Sequence, residues 1–329
     1  MQDVSSHSSR IAALRPWHGT VREGCFANFL GAMTALEFVA KHPPSNAVIT
    51  ASGGGESTAA LPTPKDGELF FEFVSLLAAV KAAEERFVML ELGGGYAARS
   101  VDAALALRRF NPLPAFLVVV EAEPTHFAWA KRHFAVNGLD PEQHWLINAA
   151  VSDRNVPVPF LTGAGYYFNQ VLGAAEANFL FNAVQQHNLC EVTLRNLLQS
   201  GEAGLSIPMG DTGGTRFDIR FVNAVPLNDL LRPVPHVDLL DMDIQGAEVE
   251  VLRPAMAAID EKVKRVHIGT HGQDLHEATT ALFAECGWNR VFDFAPKTIH
   301  RTSGGSFETQ DGILAFANPK LLSSQQSVA

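Results

Sequence analysis

Short, uninterrupted apolar runs recur along this chain. They alternate with stretches whose apolar residues fall at helical spacing, a pattern that predicts buried strands separated by amphipathic helices. Asp66 to Glu85 reads as the first of these helices, because Leu69, Phe73, Leu76, Leu77 and Val80 share a face that Phe70 widens. Strands follow at Phe87 to Leu92, Ala115 to Glu121 and His144 to Val151, with helices at Ala97 to Arg109 and Thr125 to Asn137. The rhythm breaks between Pro157 and Val225, which holds GAGYYFNQ, a helical pattern from Ala174 to His187, and a glycine-rich stretch before the alternating strand RFDIRFV. It resumes with a strand at Val237 to Met242, a turn at Asp243 to Gly246 and a helix at Ala247 to Ile259. A strand at Val263 to Ile268 and a helix at Asp274 to Cys286 come next. Trp288 to Phe294 and Gly312 to Ala317 close the chain as an antiparallel hairpin with a long loop through His300 and Gly304.

This order predicts an α/β fold with a doubly wound, mostly parallel sheet, an antiparallel closing strand and an insertion at 157–225. Residues 1–65, with a helical pattern at Ala27 to Lys41 and then a Pro-, Gly-, Ser- and Thr-rich stretch, read as an accessory segment and linker. Residues 66–319 read as the main domain and 320–329 as a tail. The insertion is expected to cover a pocket, with Tyr166 and Tyr167 as candidate contacts.

The turns carry the chemistry. The run Phe87 to Leu90 leads through Glu91 into Gly93, Gly94 and Gly95, a strand-to-helix turn that lets the backbone pass close beneath a ligand. The next strand delivers Glu121 and Glu123 about 30 residues on, where an acid accepts ribose hydroxyls. No Gly-Lys-Ser/Thr follows the glycines, so no triphosphate loop is formed. The glycines are contiguous and the sixth position is Ala98, which argues against a dinucleotide fingerprint. Asp243 and His271 end two later strands; Asp243 otherwise reads as a helix cap, His271 as a structural histidine, and Glu248 as a first-turn carboxylate favoured by the helix dipole.

A formal charge of -10 over 329 residues, with no dense basic cluster, argues against a nucleic-acid partner. Cys25, Cys190 and Cys286 are too far apart for a disulfide framework or a CxxC metal site, which fits a reducing cytoplasm. The first residues lack the apolar core of about 7 to 15 residues that an export signal needs, and no apolar run approaches the ~20 residues of a membrane span. No metal site is expected, since Asp241, Asp243 and His271 bring no second close ligand pair.

Together ELGGGYA, EAEPTHF, DMDIQGAEVEVL and RVHIGTH resemble the FkbM-like family of S-adenosylmethionine-dependent methyltransferases, over roughly Asp66 to Pro319. The resemblance implies a Rossmann-like class I methyltransferase domain that takes its methyl group from S-adenosylmethionine. The cofactor is expected at Glu91, Gly93, Gly94, Gly95, Tyr96, Glu123, Ala150 and Asp243, with Glu123 favoured over Glu121 for the ribose because Pro124 fixes the turn after it. Asp243 and His271 are the expected catalytic pair, and the acceptor a small-molecule or sugar hydroxyl; the alternatives are N-methylation of a peptide side chain or a non-catalytic cofactor-binding protein of the same fold. With an ordinary imidazole as base, the rate would rise through roughly pH 6 to 7.5. Two positions depart from the family pattern: Gln245 stands where Glu is common, and Ala97 where Gly is usual.

Overall fold

The structure is a computed structural model and describes residues 3–40, 42–49, 55–162, 170–171, 202–207 and 215–322. Its centre is a seven-stranded sheet. We number the strands β1 (Phe87–Leu92), β2 (Ala115–Glu121), β3 (Trp145–Asn148), β4 (Leu239–Met242), β5 (Arg265–Thr270), β6 (Asn289–Phe294) and β7 (Gly312–Ala317), which lie in the order 6-7-5-4-1-2-3. Strands β1 to β5 run parallel, and β7 is antiparallel to both β5 and β6. The order reverses between β1 and β4, so the loops after these two strands diverge and leave a crevice at their carboxyl ends.

Helices cover both faces: α1 (Glu68–Ala82), α2 (Ala98–Phe110), α3 (Pro124–Val136), α4 (Glu248–Lys262) and α5 (Gln273–Glu285). Strand alternation divides the core between them. Phe87 and Met89 of β1 join Phe70, Phe73, Leu76 and Val80 of α1 on one face. Val88, Leu90 and Leu92 join Val251, Leu252 and Ile259 of α4 on the other. Every residue of β1 is buried, which is why the strand reads as a continuous apolar run and not as an alternating one.

Several boundaries differ from the sequence expectation. Ala27 to Lys41 is not a helix: Cys25–Ala27 and Met33–Ala35 pair as antiparallel strands, followed by a 3-10 turn at Leu36–Val39. Asn28 explains this, since its side-chain oxygen accepts the N–H groups of Leu30 and Ala32 and holds a turn that competes with helix. The segment packs across α2 and α3. The Asn28 amide donates to Asp102, Asn137 exchanges hydrogen bonds with the Met33 backbone, and Phe38 stacks on Trp129.

The strand expected at His144 to Val151 is split at Ala149. Ala150–Ser152 pairs instead with Ala224–Pro226, outside the main sheet. Within the insertion, Val158–Thr162, Gln170–Val171, Glu202–Ile207 and Thr215–Val222 form an antiparallel sheet, so part of the glycine-rich stretch is strand. The helix expected at 174–187, Tyr166 and Tyr167 lie outside the described residues. The loop between β6 and β7 carries its own hairpin, Ile299–Thr302 with Gly305–Glu308. Among the described residues no helix is long and apolar enough to cross a membrane.

Candidate active site

The glycine turn leaves β1 beside the loop after β4. Gly93 has φ +79°, and a side chain there would place its Cβ 1.9 Å from the Asp243 carbonyl oxygen. The Asp243 N–H in turn donates to the Leu92 carbonyl at 2.9 Å. Only glycine allows this backbone approach. At Gly94 a Cβ would meet Val119 Cγ1 at 2.6 Å, and Gly95 is left-handed at φ +53°. Ala97, where the family pattern has Gly, also takes a left-handed conformation at φ 62° and starts α2 fully buried. This is a strained choice for a residue with a Cβ, of order 1 to 2 kcal/mol.

Glu91 is buried below the turn, and its carboxylate accepts the N–H groups of Arg99 and Ser100 at 3.1 and 2.9 Å, satisfying the start of α2. Burial outweighs those bonds and pushes Glu91 up to about 6. Its partner across the strands is Asp241, which burial and then the Glu91 charge raise well above the usual carboxylate range. Arg99 stands between Glu72 of α1 and Asp102 of α2 as the counter-charge to this group.

The two acids after β2 have different roles. Glu121, the last residue of its strand, accepts the Gly95 N–H at 2.7 Å and the Glu123 N–H at 2.6 Å, so its carboxylate faces the glycine turn. Burial pushes it up to about 7 despite both bonds. Glu123 is the N-cap of α3 and accepts the His126 N–H at 2.7 Å. One oxygen of Glu123 is engaged at the helix start that Pro124 fixes, and both oxygens of Glu121, the acid turned toward the glycines, are engaged by backbone N–H groups. Tyr96 packs its ring against Phe38 and His133, and Ala150 is buried among Ala122, Val158, Phe160 and Ala224.

Across the crevice, the strand ends bring Asp243 and His271 together, with His271 Nε2 3.2 Å from Asp243 Oδ1. Asp243 does not cap α4, whose first position follows Ala247 without a side-chain cap. It accepts instead from the Gln245 amide at 2.8 Å, a bond that a Glu in place of Gln245 would turn into repulsion. Sequence reasoning did not name Asp311 and read Glu248 only as a first-turn carboxylate. Glu248 is fully buried and binds His271 Nδ1 at 2.8 Å, while Asp311, ahead of β7, comes within 3.9 Å of Nε2. Burial works against a charged His271, but bonding to Asp243 and Glu248 outweighs it and raises the ring to about 10. A rate limited by the neutral form of so raised a ring is expected to rise above pH 7.5 and not through pH 6 to 7.5.

Acids also line the opening from the α1 side. Crowding by protein, then the charges of Glu72, Asp243 and Asp311, pushes Glu68 up to about 8; Glu72 rises to about 7. Among the described residues, no three His, Cys, Asp or Glu side chains form a set able to hold a metal ion.

A glycine turn and a polar pair face one another at the switch point of this Rossmann-like sheet. The FkbM methyltransferase domain matches residues 107–289, more than half of the chain, and the protein belongs to that family. A Jannaschia sp. (strain CCS1) protein named "Putative methyltransferase" is 25% identical over 252 residues, covering 76% of this chain and 79% of the other. Among solved structures, an FkbM methyltransferase from Methylobacillus flagellatus KT is similar at TM-score 0.38 and 10% identity, over 71% of this chain and 44% of that one. A precorrin-6y C5,15-methyltransferase from Geobacter metallireducens GS-15 is similar at TM-score 0.37 and 11% identity, over 75% of this chain and 86% of that one.

Proposed function

We propose that this methyltransferase binds S-adenosylmethionine over the Gly93 to Gly95 turn and passes its methyl group to an acceptor hydroxyl beside Asp243 and His271. The observation that carries the reading is the meeting of the two at the β1–β4 crevice, where Gly93 lies directly against Asp243. The residues present suit the cofactor: Glu121 is an acid facing the glycines that can accept ribose hydroxyls, and Glu91 stiffens the turn. When bound, S-adenosylmethionine supplies a methyl carbon activated by a sulfonium, whose departure needs no acid. The chain's part is alignment and proton removal.

In this reading His271 takes the acceptor proton at Nε2 in the fraction of molecules where the ring is neutral. Asp243 orients the acceptor and stabilises the imidazolium that forms. The acceptor is a small-molecule or sugar hydroxyl, and the segment 157–225 shapes its choice. One observation favours a second reading, an amine acceptor on a peptide side chain. Asp243 and Asp311 keep 53% and 43% of their side chains exposed beside the half-buried His271, an acidic rim suited to a cation.

The test follows transfer of a tritiated methyl group to separate panels of sugar hydroxyls, small-molecule alcohols, peptide amines and RNA. Asp243→Ala and His271→Ala should each cut turnover by about 10² to 10⁴ while sparing cofactor affinity. Near-normal turnover in His271→Ala overturns the acid-base reading, and labelling of RNA alone overturns the acceptor class.

A further inference from the structure

His271 is held from below as well as from the crevice. Glu248 opens α4, and its Oε1 accepts both the Gly246 N–H at 3.0 Å and the His271 Nδ1–H at 2.8 Å. Its side chain is fully buried, and Oε2 has no hydrogen-bond partner. A carboxylate of the first helical turn ordinarily faces solvent, where the dipole alone accounts for it. Complete burial against an imidazole needs another reason, since removing such a carboxylate from water costs several kcal/mol unless a charge or strong donor meets it.

We infer that Glu248 is the positioning residue for His271: it fixes the proton on Nδ1 and sets the basicity of Nε2, the ring nitrogen on the Asp243 side. This rests on the reading of His271 as the base. A carboxylate at Nδ1 selects the Nδ1–H tautomer in the neutral ring and leaves the Nε2 lone pair on the Asp243 side, where the atom is buried without a hydrogen-bond partner. The buried charge also stabilises the imidazolium formed once Nε2 has taken a proton. Three carboxylates face the ring, from three elements: Glu248 from α4, Asp243 from the loop after β4 and Asp311 from the approach to β7. Lys297 acts on Asp311 from the β6–β7 loop. Of the three acids, only Glu248 meets Nδ1 and is shut off from solvent, so its influence on the ring is the least screened.

The experiment titrates the full chain without cofactor, following the His271 ring nitrogens by NMR, in the native protein and in Glu248→Gln. The native ring should titrate well above an ordinary histidine, and its neutral form should carry the proton on Nδ1. In Glu248→Gln the midpoint should fall by a pH unit or more, and the Nδ1–H preference should weaken or reverse. In the methyl-transfer assay the rising limb of the rate should move to lower pH by a similar amount, with a lower plateau. Should Glu248→Gln fail to fold, Glu248→Asp, which withdraws the charge from the ring, should shift both readouts in the same direction by less. An unmoved midpoint, tautomer and limb would overturn the inference. Failure of the underlying reading looks different: the NMR shift would be present while His271→Ala kept full turnover.

Discussion

The two halves of the crevice are built by different means. On the β1–β2 side the acids hold backbone: Glu91 takes two N–H groups of α2, Glu121 two from the loops, and Glu123 one of α3. On the β4–β5 side the side chains hold each other, Glu248 with His271, His271 with Asp243, and Asp243 with Gln245. The first half is a backbone mould whose shape is locked once the strands pair. The second is a chain of charged and polar groups whose arrangement depends on protonation and on burial, and in the proposed reading it is the half that performs the chemistry.

Glycine substitution separates the two most sharply. Gly93→Ala puts a Cβ 1.9 Å from the Asp243 carbonyl at a left-handed position, so a loss of about 3 kcal/mol or more is expected in chemical denaturation. Gly269→Ala, on β5, would meet Asp243 no closer than 3.6 Å at Cγ, ordinary contact, and should stay within about 1 kcal/mol of the native chain. Equal losses at both sites would erase the distinction.

The pH dependence of stability gives a smaller effect that again divides the halves. Glu121 rises to about 7 and His271 to about 10, so above pH 6.5 the folded chain holds protons that the unfolded chain has released. Stability should then fall as pH increases, first with Glu121, Glu72 and Glu68 and afterwards with His271. His133 and His267, lowered to about 4 and about 3 by burial, act in the opposite sense but only below their unfolded value of 6.5. In urea titrations from pH 6.5 to 10, Glu121→Gln should flatten the early part of the decline and His271→Gln the late part. A level profile across that range would contradict both assignments.

Much of the first half was legible in the sequence. The unbroken apolar run of β1, the glycines and the acid two residues before them act within one turn, and the local pattern specifies them. The choice of Glu123 came from the same local reasoning; Pro124 marks a helix start, and that start engages one oxygen of the carboxylate. In the second half, Asp243 and His271 were legible as an expected pair at two strand ends, but the contacts that hold them were not. Nothing near Glu248 announces a partner 23 residues away, and its burial follows from the packing of α4 beside β5. The helix expected at Ala27 to Lys41 failed because side-chain bonds of Asn28 compete with helical ones, an outcome that apolar spacing does not register.

The claim on which the rest stands is that the glycine turn and Glu121 hold S-adenosylmethionine, and calorimetry with the purified chain tests it most directly. S-adenosylmethionine and its demethylated product should bind and NAD should not. Glu121→Ala should weaken binding tenfold or more, through the loss of charge-assisted hydrogen bonds of about 1.5 to 3 kcal/mol each, while Glu123→Ala should leave affinity within a few-fold. Binding of NAD in place of S-adenosylmethionine, or loss of affinity in Glu123→Ala with Glu121→Ala unaffected, would contradict the account.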